Sequence, residues 1–524
     1  MTLTQLLVFG AAALLLGWIF KERWRGWLML IGSLLAVYWL QPATPIRHLD
    51  FWLPTASLAL TVLVWAITRP PAGDRTPSTG SGRGLSGAER APSTSFHSAQ
   101  DARSAQSKPV LSVVEGGRPT LITGTLITAL VIAIGLTRYL GPLCCLIPTR
   151  PPDLPEVLIA LVVVAALAAA VFRFAPGRRW LLALSAAAII ALFVTLKTEP
   201  FALAASAGMR ALGGQSAEQA SALDVRWLGF SYIAFRLLHA LRDRMTGRLP
   251  PLSLQEFVTY ALFFPALTAG PIDRAERFAK DLRQPFALSA AEAMDGLTCI
   301  VAGVFKKFVL ADTLAAIALN GANAVQTTST LWMWVLLYAY AFRLYLDFGG
   351  YTDIAIGIGR LCGVRLPENF DRPYLKQNLT AFWNSWHITL AQWFRAYFFN
   401  PLTRALRSAP SPQAPGAEGR GLPPALIIFV GQAGTMILIG LWHGVTWNFV
   451  AWGAWHAMGL FVHNRWADYS RAHPPTWDND PRLKRAANWL GVLLTFHYVA
   501  LGWVWFALQS VSLSVEVFRK LFGV

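Results

Sequence analysis

The chain has 524 residues, 55% of them hydrophobic and only 14% charged, whereas a water-soluble domain carries about 25% charged residues. That balance excludes a soluble globular protein and points to a membrane chain. The net charge of +17 does not signal nucleic acid: the basic residues sit in short loops between apolar runs, as the positive-inside bias predicts, and form no compact basic domain.

Apolar runs at 6–20, 27–40, 119–137, 155–172, 180–196, 331–346, 425–441, 447–463 and 487–508 reach or approach the ~20 residues needed to cross a bilayer. The expectation is an all-α, polytopic membrane helix bundle of roughly ten or eleven spans. Segments broken by Gly and Pro are expected to re-enter rather than cross. Residues 1–69 read as N-terminal transmembrane helices. No Lys or Arg precedes Lys21, and the cluster Lys21, Arg23, Arg25 follows the first apolar run. This is the reverse of a cleaved leader, so the first helix is expected to be retained, with its N-terminus outside.

Residues 70–118 are rich in Ser, Gly, Pro, Ala and Arg, and read as a disordered cytoplasmic loop. Residues 119–225 supply about three more spans by length, with 197–225 as an outer loop. Residues 226–509 form the remaining unit, and 510–524 a C-terminal tail. Within that unit the apolar run 257–270 is too short to span and has basic residues on both flanks. It is expected to re-enter and return to the same face, which requires an internal cavity or protein packing at membrane depth. A strong helix over 331–348 is expected to break at Gly349-Gly350. The four cysteines, Cys144, Cys145, Cys299 and Cys362, show no metal-ligand spacing and read as small apolar fillers.

His443, in Leu441-Trp442-His443-Gly444, ends a long apolar run. An imidazole there either caps a helix end at the interface or acts as a general base, since its pKa lies near neutrality. Trp442, Trp447, Trp452 and Trp455 surround it in sequence, with Asn448 and Thr446 as polar neighbours. Gly440 and Gly444 allow close approach of a backbone or a substrate. His387, after Trp386, carries the same two readings. His456 would lie about 20 Å beyond His443 along an unbroken helix, too far to share a proton. Arg343 and Asp347 can pair at i, i+4. Asp347 and Asp353 are either neutralised structural charges or a polar lining near a reaction chamber. Lys306-Lys307 reads as an interfacial pair or as an attractant for an anionic donor. Glu368, Asn369, Asp371 and Arg372 read as a cytoplasmic turn with a positioning role. No His-Glu-x-x-His run and no close Cys pair supplies a metal site.

Several runs, in order, resemble the membrane-bound O-acyltransferase family: Phe263-Phe264-Pro265 with Gly270-Pro271-Ile272, Lys306-Lys307, Tyr345 to Gly357, Pro367-Glu368-Asn369-Phe370, Trp386-His387-Ile388-Thr389-Leu390 and Leu441-Trp442-His443-Gly444. The branch is the bacterial one that includes the alginate O-acetyltransferase membrane subunit and the teichoic-acid D-alanyl transfer protein. The likeness covers about residues 226–506. The chain departs from that branch at Asn384 and Ser385, where arginines are usual, at Ala396, where Asp is usual, and at Gly349, where Ser is usual.

The resemblance implies a helical bundle around a central tunnel in the cell inner membrane. It implies transfer of an acyl group, acetyl by the same likeness, from a cytoplasmic thioester such as acetyl-CoA to a hydroxyl of an extracytoplasmic polysaccharide. His443 and His387 would be the catalytic residues, His443 as base and His387 as holder of the acyl carbonyl or oxyanion. Asp347, Asp353, Trp386, Trp442 and Asn448 are the candidates for lining the tunnel. No bound cofactor and no metal is expected. The expected partners are membrane lipid, the thioester donor and an extracytoplasmic acyl-transfer protein. The competing reading is a transporter or flippase for a lipid-linked envelope sugar; a third is a passive scaffold.

Overall fold

The computed structural model describes residues 2–19, 22–70, 117–141, 146–174, 176–408, 422–474 and 480–524. The segment 71–116 of the expected disordered loop, and the pair Cys144-Cys145, lie outside them. Helices dominate the described residues, and the only β pairing among them is an isolated bridge.

The first three helices are α1 (Leu3–Ile19), α2 (Glu22–Leu40) and α3 (Leu49–Thr68). The start of α2 and the end of α3 at Arg69 share one end of the bundle. Four more follow: α4 (Gly117–Leu136), α5 (Leu154–Phe174), α6 (Arg179–Lys197) and α7 (Glu199–Leu212). The α5–α6 turn docks on the end of α3, where Gly177 N–H donates to the Ile67 carbonyl at 2.8 Å. Arg69, Arg173, Arg178 and Arg179 therefore gather at the same end as Arg23 and Arg25. This is the basic end. The first half of the expected outer loop 197–225 is instead the amphipathic helix α7. Its buried face clamps the following segment: Arg210 Nε and the Ser206 hydroxyl both donate to Asp224 at 2.8 Å.

Helix α8 (Phe230–Met245) returns to the basic end, and α9 (Leu254–Leu262) starts there under a Ser253/Glu256 capping box. It stops after 9 residues, followed by one 3-10 turn over Phe264–Ala266. α10 (Ala275–Arg283) resumes at the basic end, where Arg25 donates to the carbonyls of Asp281 and Leu282. The run 257–270 thus re-enters, as its charge flanks require. Backbone freed at that depth must find protein partners, and it does. Buried Arg236 of α8 donates to the carbonyls of Ala261 at 2.9 Å and Ala266 at 2.6 Å. The Ser33 hydroxyl accepts from Phe264 N–H.

The chain continues through α11 (Ala290–Val304), a π-helical turn over Phe305–Ala311, and the short helices α12 (Asp312–Ala315) and α13 (Gly321–Gln326). It then enters α14 (Thr330–Leu361), 32 residues without interruption. The break expected at Gly349-Gly350 is absent, and Gly350 serves helix packing instead. A Cβ on Gly350 would lie 2.7 Å from the Gly303 carbonyl oxygen, and one on Gly357 would lie 2.5 Å from that of Gly296. Only small residues let α11 and α14 approach this closely.

The last elements are α15 (Leu379–Trp383), α16 (Ile388–Phe394), a π-helical turn over Arg395–Phe399, α17 (Asn400–Ser408), α18 (Pro424–His443), α19 (Trp447–Ala472), α20 (Pro481–Ala507) and α21 (Val511–Phe522). The expected C-terminal tail is thus largely helix α21, which buries Val517 and Leu521 and accepts from the Trp334 indole through the Leu521 carbonyl. Among the described residues 6 helices are long and apolar enough to cross a membrane: those at Leu49–Thr68, Pro119–Tyr139, Leu154–Phe174, Arg179–Lys197, Pro424–His443 and Pro481–Ala507. The chain is a multi-pass membrane protein. Among the described residues the apolar core forms one large cluster around α2, α3, α8 and α9, a second around α14 to α21 whose side chains surround the two histidines, and a small third one where Leu49 and Leu53 of α3 meet Ala202 of α7.

Candidate active site

His387 and His443 line one small cavity. Its walls include Phe348 of α14, Trp386, Ile439 of α18, Trp452 of α19 and Phe506 of α20. The cavity measures about 40 Å³, room for water or a small reacting group but not for a whole substrate.

Two short motifs build the His387 side. Phe370 and Trp386 form an antiparallel bridge, Ile388 N–H donates to the Asn369 carbonyl at 3.0 Å, and Asp371 N–H donates to the Ser385 carbonyl at 3.0 Å. This pairing lays Pro-Glu-Asn-Phe against Trp-His-Ile-Thr. His387 then sits at the N-cap of α16 with φ 43°. Left-handed backbone at a non-glycine residue costs free energy, and such residues cluster at functional sites.

The Asn369 side chain fixes the state of that ring. Its Oδ1 accepts from Thr389 N–H at 3.2 Å and from the Thr389 hydroxyl at 2.9 Å, and lies 3.2 Å from His387 Nδ1. A backbone N–H can only donate, so the atom facing Thr389 must be the amide oxygen. The same oxygen can only accept from His387, so the neutral ring carries its proton on Nδ1 and a lone pair on Nε2. Among the described residues Nε2 is buried without a partner. Asn369 was expected in a cytoplasmic turn with a positioning role; it is 1% exposed, in the core of the site.

His443 is the last residue of α18 and is half-buried beside the exposed turn 445–447. Its ring stacks on Phe449 at 5.8 Å and meets Phe506 edge-on at 4.7 Å. Gly440 admits protein backbone at this point: a Cβ there would lie 2.2 Å from the Phe449 carbonyl oxygen. Trp442 bridges the two histidines, with its ring 4.5 Å from His443 and 6.0 Å from His387.

The remaining sequence candidates separate. Trp386 lines the cavity. Asn448 is buried but turns away, donating to the Leu508 carbonyl at 2.9 Å and the Ser514 hydroxyl at 3.0 Å, which ties α19 to the end of α20 and to α21. Asp347 pairs with Lys307, not with Arg343, and Asp353 pairs with Lys306 at 2.6 Å. Both carboxylates are partly exposed, and Arg360–Glu368 extends the polar strip along α14 toward the basic end. This strip lies outside the lining of the histidine cavity. His456 is fully buried against Trp383 and Trp452 and does not line the cavity. Among the described residues no three His, Cys, Asp or Glu side chains converge as a metal site would require.

Over residues 183–412 the chain matches the model of the membrane-bound O-acyltransferase (MBOAT) family. His387 and Asn369 lie inside the matched stretch; His443 lies beyond it. Among curated proteins the chain is 33% identical over 300 residues to the probable alginate O-acetylase AlgI of Pseudomonas aeruginosa, covering 56% of this chain and 51% of that protein. It is 32% identical over 298 residues to the peptidoglycan O-acetyltransferase of Helicobacter pylori, covering 54% and 51%. It is 29% identical over 298 residues to the teichoic acid D-alanyltransferase of Streptococcus thermophilus, covering 54% and 68%. The matches thus span about half the length of the two O-acetylating relatives.

Proposed function

We propose that this protein is a membrane O-acyltransferase. It moves an acyl group, acetyl by preference, from a thioester reached at the basic end to a hydroxyl at the opposite end. The acceptor is a cell-envelope polymer, on the strength of the relatives' names. The positive-inside bias supports a basic end that faces the cytoplasm, and with it a location in the inner membrane. The observation that carries the reading is the shared cavity of His387 and His443 in a helical bundle whose residues 183–412 match the MBOAT family model.

The chemistry follows from each group's donors and acceptors. A thioester expels a thiolate of pKa ~8.5, so the donor needs little help with its leaving group. The hydroxyl acceptor is a poor nucleophile until a base takes its proton. His443, beside the exposed turn, takes that proton on one ring nitrogen. In this reading its other N–H is served by the lone pair of His387 Nε2, through a water in the cavity that the two residues share. His387 thereby orients the base and stabilises the imidazolium, as an orienting group does for other activated nucleophiles. Stabilising an oxyanion through His387 would need a proton on Nε2, whereas the Asn369 contact holds it on Nδ1. The tetrahedral intermediate collapses by breaking the C–S bond, and the thiolate recovers the proton. An extracytoplasmic partner protein that relays the acyl group belongs to the same proposal.

The test is label transfer from acetyl-CoA into envelope material, in membranes bearing wild type, His443→Ala or His387→Ala at equal folded amounts. Loss in both variants is expected. Transfer at the wild-type rate in His443→Ala, or movement of a lipid-linked sugar with no acyl transfer in the wild type, overturns the proposal.

A further inference from the structure

A second, much larger concavity lies far from the histidines. It is a groove of about 790 Å³ between α3, α4 and α5, closed at one end by Leu254 of α9. All three flanking helices are long and apolar enough to cross a membrane. Helix α5 shows most of its side chains to the outside. The groove therefore opens sideways into hydrocarbon, not into water.

Its dimensions fit one leaflet. Along α3 it runs from Thr55 to Arg69, a rise of about 21 Å at 1.5 Å per residue. Half of a bilayer of ~40–45 Å, headgroups included, is ~20–22 Å. The volume lies within the ~300–1,000 Å³ of small-molecule sites. The walls are small and apolar where a chain would lie: Gly124, Ala165, Ala168 and Ala169 alternate with Leu58, Val62 and Val164. Gly124 faces open space, since a Cβ there would meet nothing within 4 Å.

The polar end is defined as well. Arg69 lines the groove at the basic end, with its guanidinium over the rings of Trp65 at 4.9 Å and Phe172 at 4.8 Å. The Trp65 indole donates to the Leu252 carbonyl at 3.0 Å, which holds that platform in place. Arg178 and Arg179 are brought alongside by the Gly177–Ile67 hydrogen bond. An apolar slot one leaflet deep, ending in stacked and clustered arginines on the cytoplasmic side, matches a lipid tail below an anionic headgroup. We propose that this groove binds an anionic glycerophospholipid of the cytoplasmic leaflet, its acyl chain along Gly124 and Ala165 and its phosphate at Arg69. The site is separate from acyl transfer and stands whether or not that reading holds.

The test uses the full chain in nanodiscs of phosphatidylcholine containing phosphatidylglycerol, released into mild detergent and weighed by native mass spectrometry. The wild type is expected to retain phosphatidylglycerol several-fold over phosphatidylcholine. Gly124→Phe, which fills the slot, should abolish retention with the thermal unfolding midpoint unchanged; Ala165→Phe serves if that variant misfolds. Arg69→Gln should keep retention but lose the headgroup preference. Retention that survives Gly124→Phe and Ala165→Phe, equal retention of both lipids by the wild type, or none at all overturns the proposal. So does a two-chain mass that Gly124→Phe abolishes, which would assign the groove to a helix of a second copy.

Discussion

Replacing Asn369 with Leu tests the hydrogen bonds that fix the His387 ring. The substitution keeps volume but removes the one oxygen that receives Thr389 N–H, the Thr389 hydroxyl and His387 Nδ1–H. The Thr389 hydroxyl is tied elsewhere too, accepting from Ile272 N–H at 3.1 Å. The main loss therefore falls on Thr389 N–H and on His387. An unsatisfied buried donor costs about 1–3 kcal/mol. On the Thr389 side this appears as lower stability of the folded protein. On the His387 side it removes the bias for the Nδ1–H tautomer, so the form with a lone pair on Nε2 becomes about 5–150-fold less favoured. The expected result is a fall in kcat of that order per folded molecule, with KM for the thioester unchanged. Asn369→Asp keeps an acceptor oxygen and should restore most of the rate. The assay is single-turnover label transfer from acetyl-CoA in nanodiscs, normalised to folded protein by size-exclusion yield. If Asn369→Leu turns over as fast as wild type per folded molecule, or if Asp and Leu lose equally, the tautomer argument fails.

Other consequences follow from the packing. Gly350→Leu forces α14 away from the Gly303 carbonyl and should cost about 1–3 kcal/mol; a thermal midpoint equal to wild type would contradict the close helix crossing. Arg236→Met leaves the Ala261 and Ala266 carbonyls without their donor and should cost about 2 kcal/mol or more, seen as reduced folded yield. Near the non-basic end, burial pushes the Asp224 carboxyl up, but hydrogen bonds from Arg210, Ser206 and Ser221 N–H outweigh it, and the net shift is downward. A carboxyl depressed on folding adds stability above its unfolded pKa and loses it as pH falls through the folded value. Acid should therefore loosen the α7 clamp only below the ordinary carboxylate range, and Asp224→Asn should remove that part of the pH dependence in hydrogen exchange of 199–212.

Much of this molecule is legible in the sequence because lipid imposes simple rules. Apolar run length locates helices such as those at Leu154–Phe174 and Pro424–His443, and the scatter of Arg and Lys orders the two ends. The broken run around Pro265 and Gly270-Pro271 announces re-entry, since exposed backbone polar groups are not tolerated in hydrocarbon. The pairing of His387 with His443 was suggested by their tryptophan-rich runs, but nothing local in the chain brings them together. What only the tertiary structure decided depends on contacts between distant segments. Gly349-Gly350 reads as a break until α11 is placed against Gly350. Asp347 reads as a partner for Arg343 until Lys307 arrives from 40 residues away. Asn369 reads as a polar turn until the bridge to Trp386 folds it inward, beside a histidine 18 residues further on. Hydrophobic periodicity reports which face of an element is buried; it carries no information on which polar atom will meet which. Those pairings are fixed only when buried donors and acceptors must satisfy one another at close range.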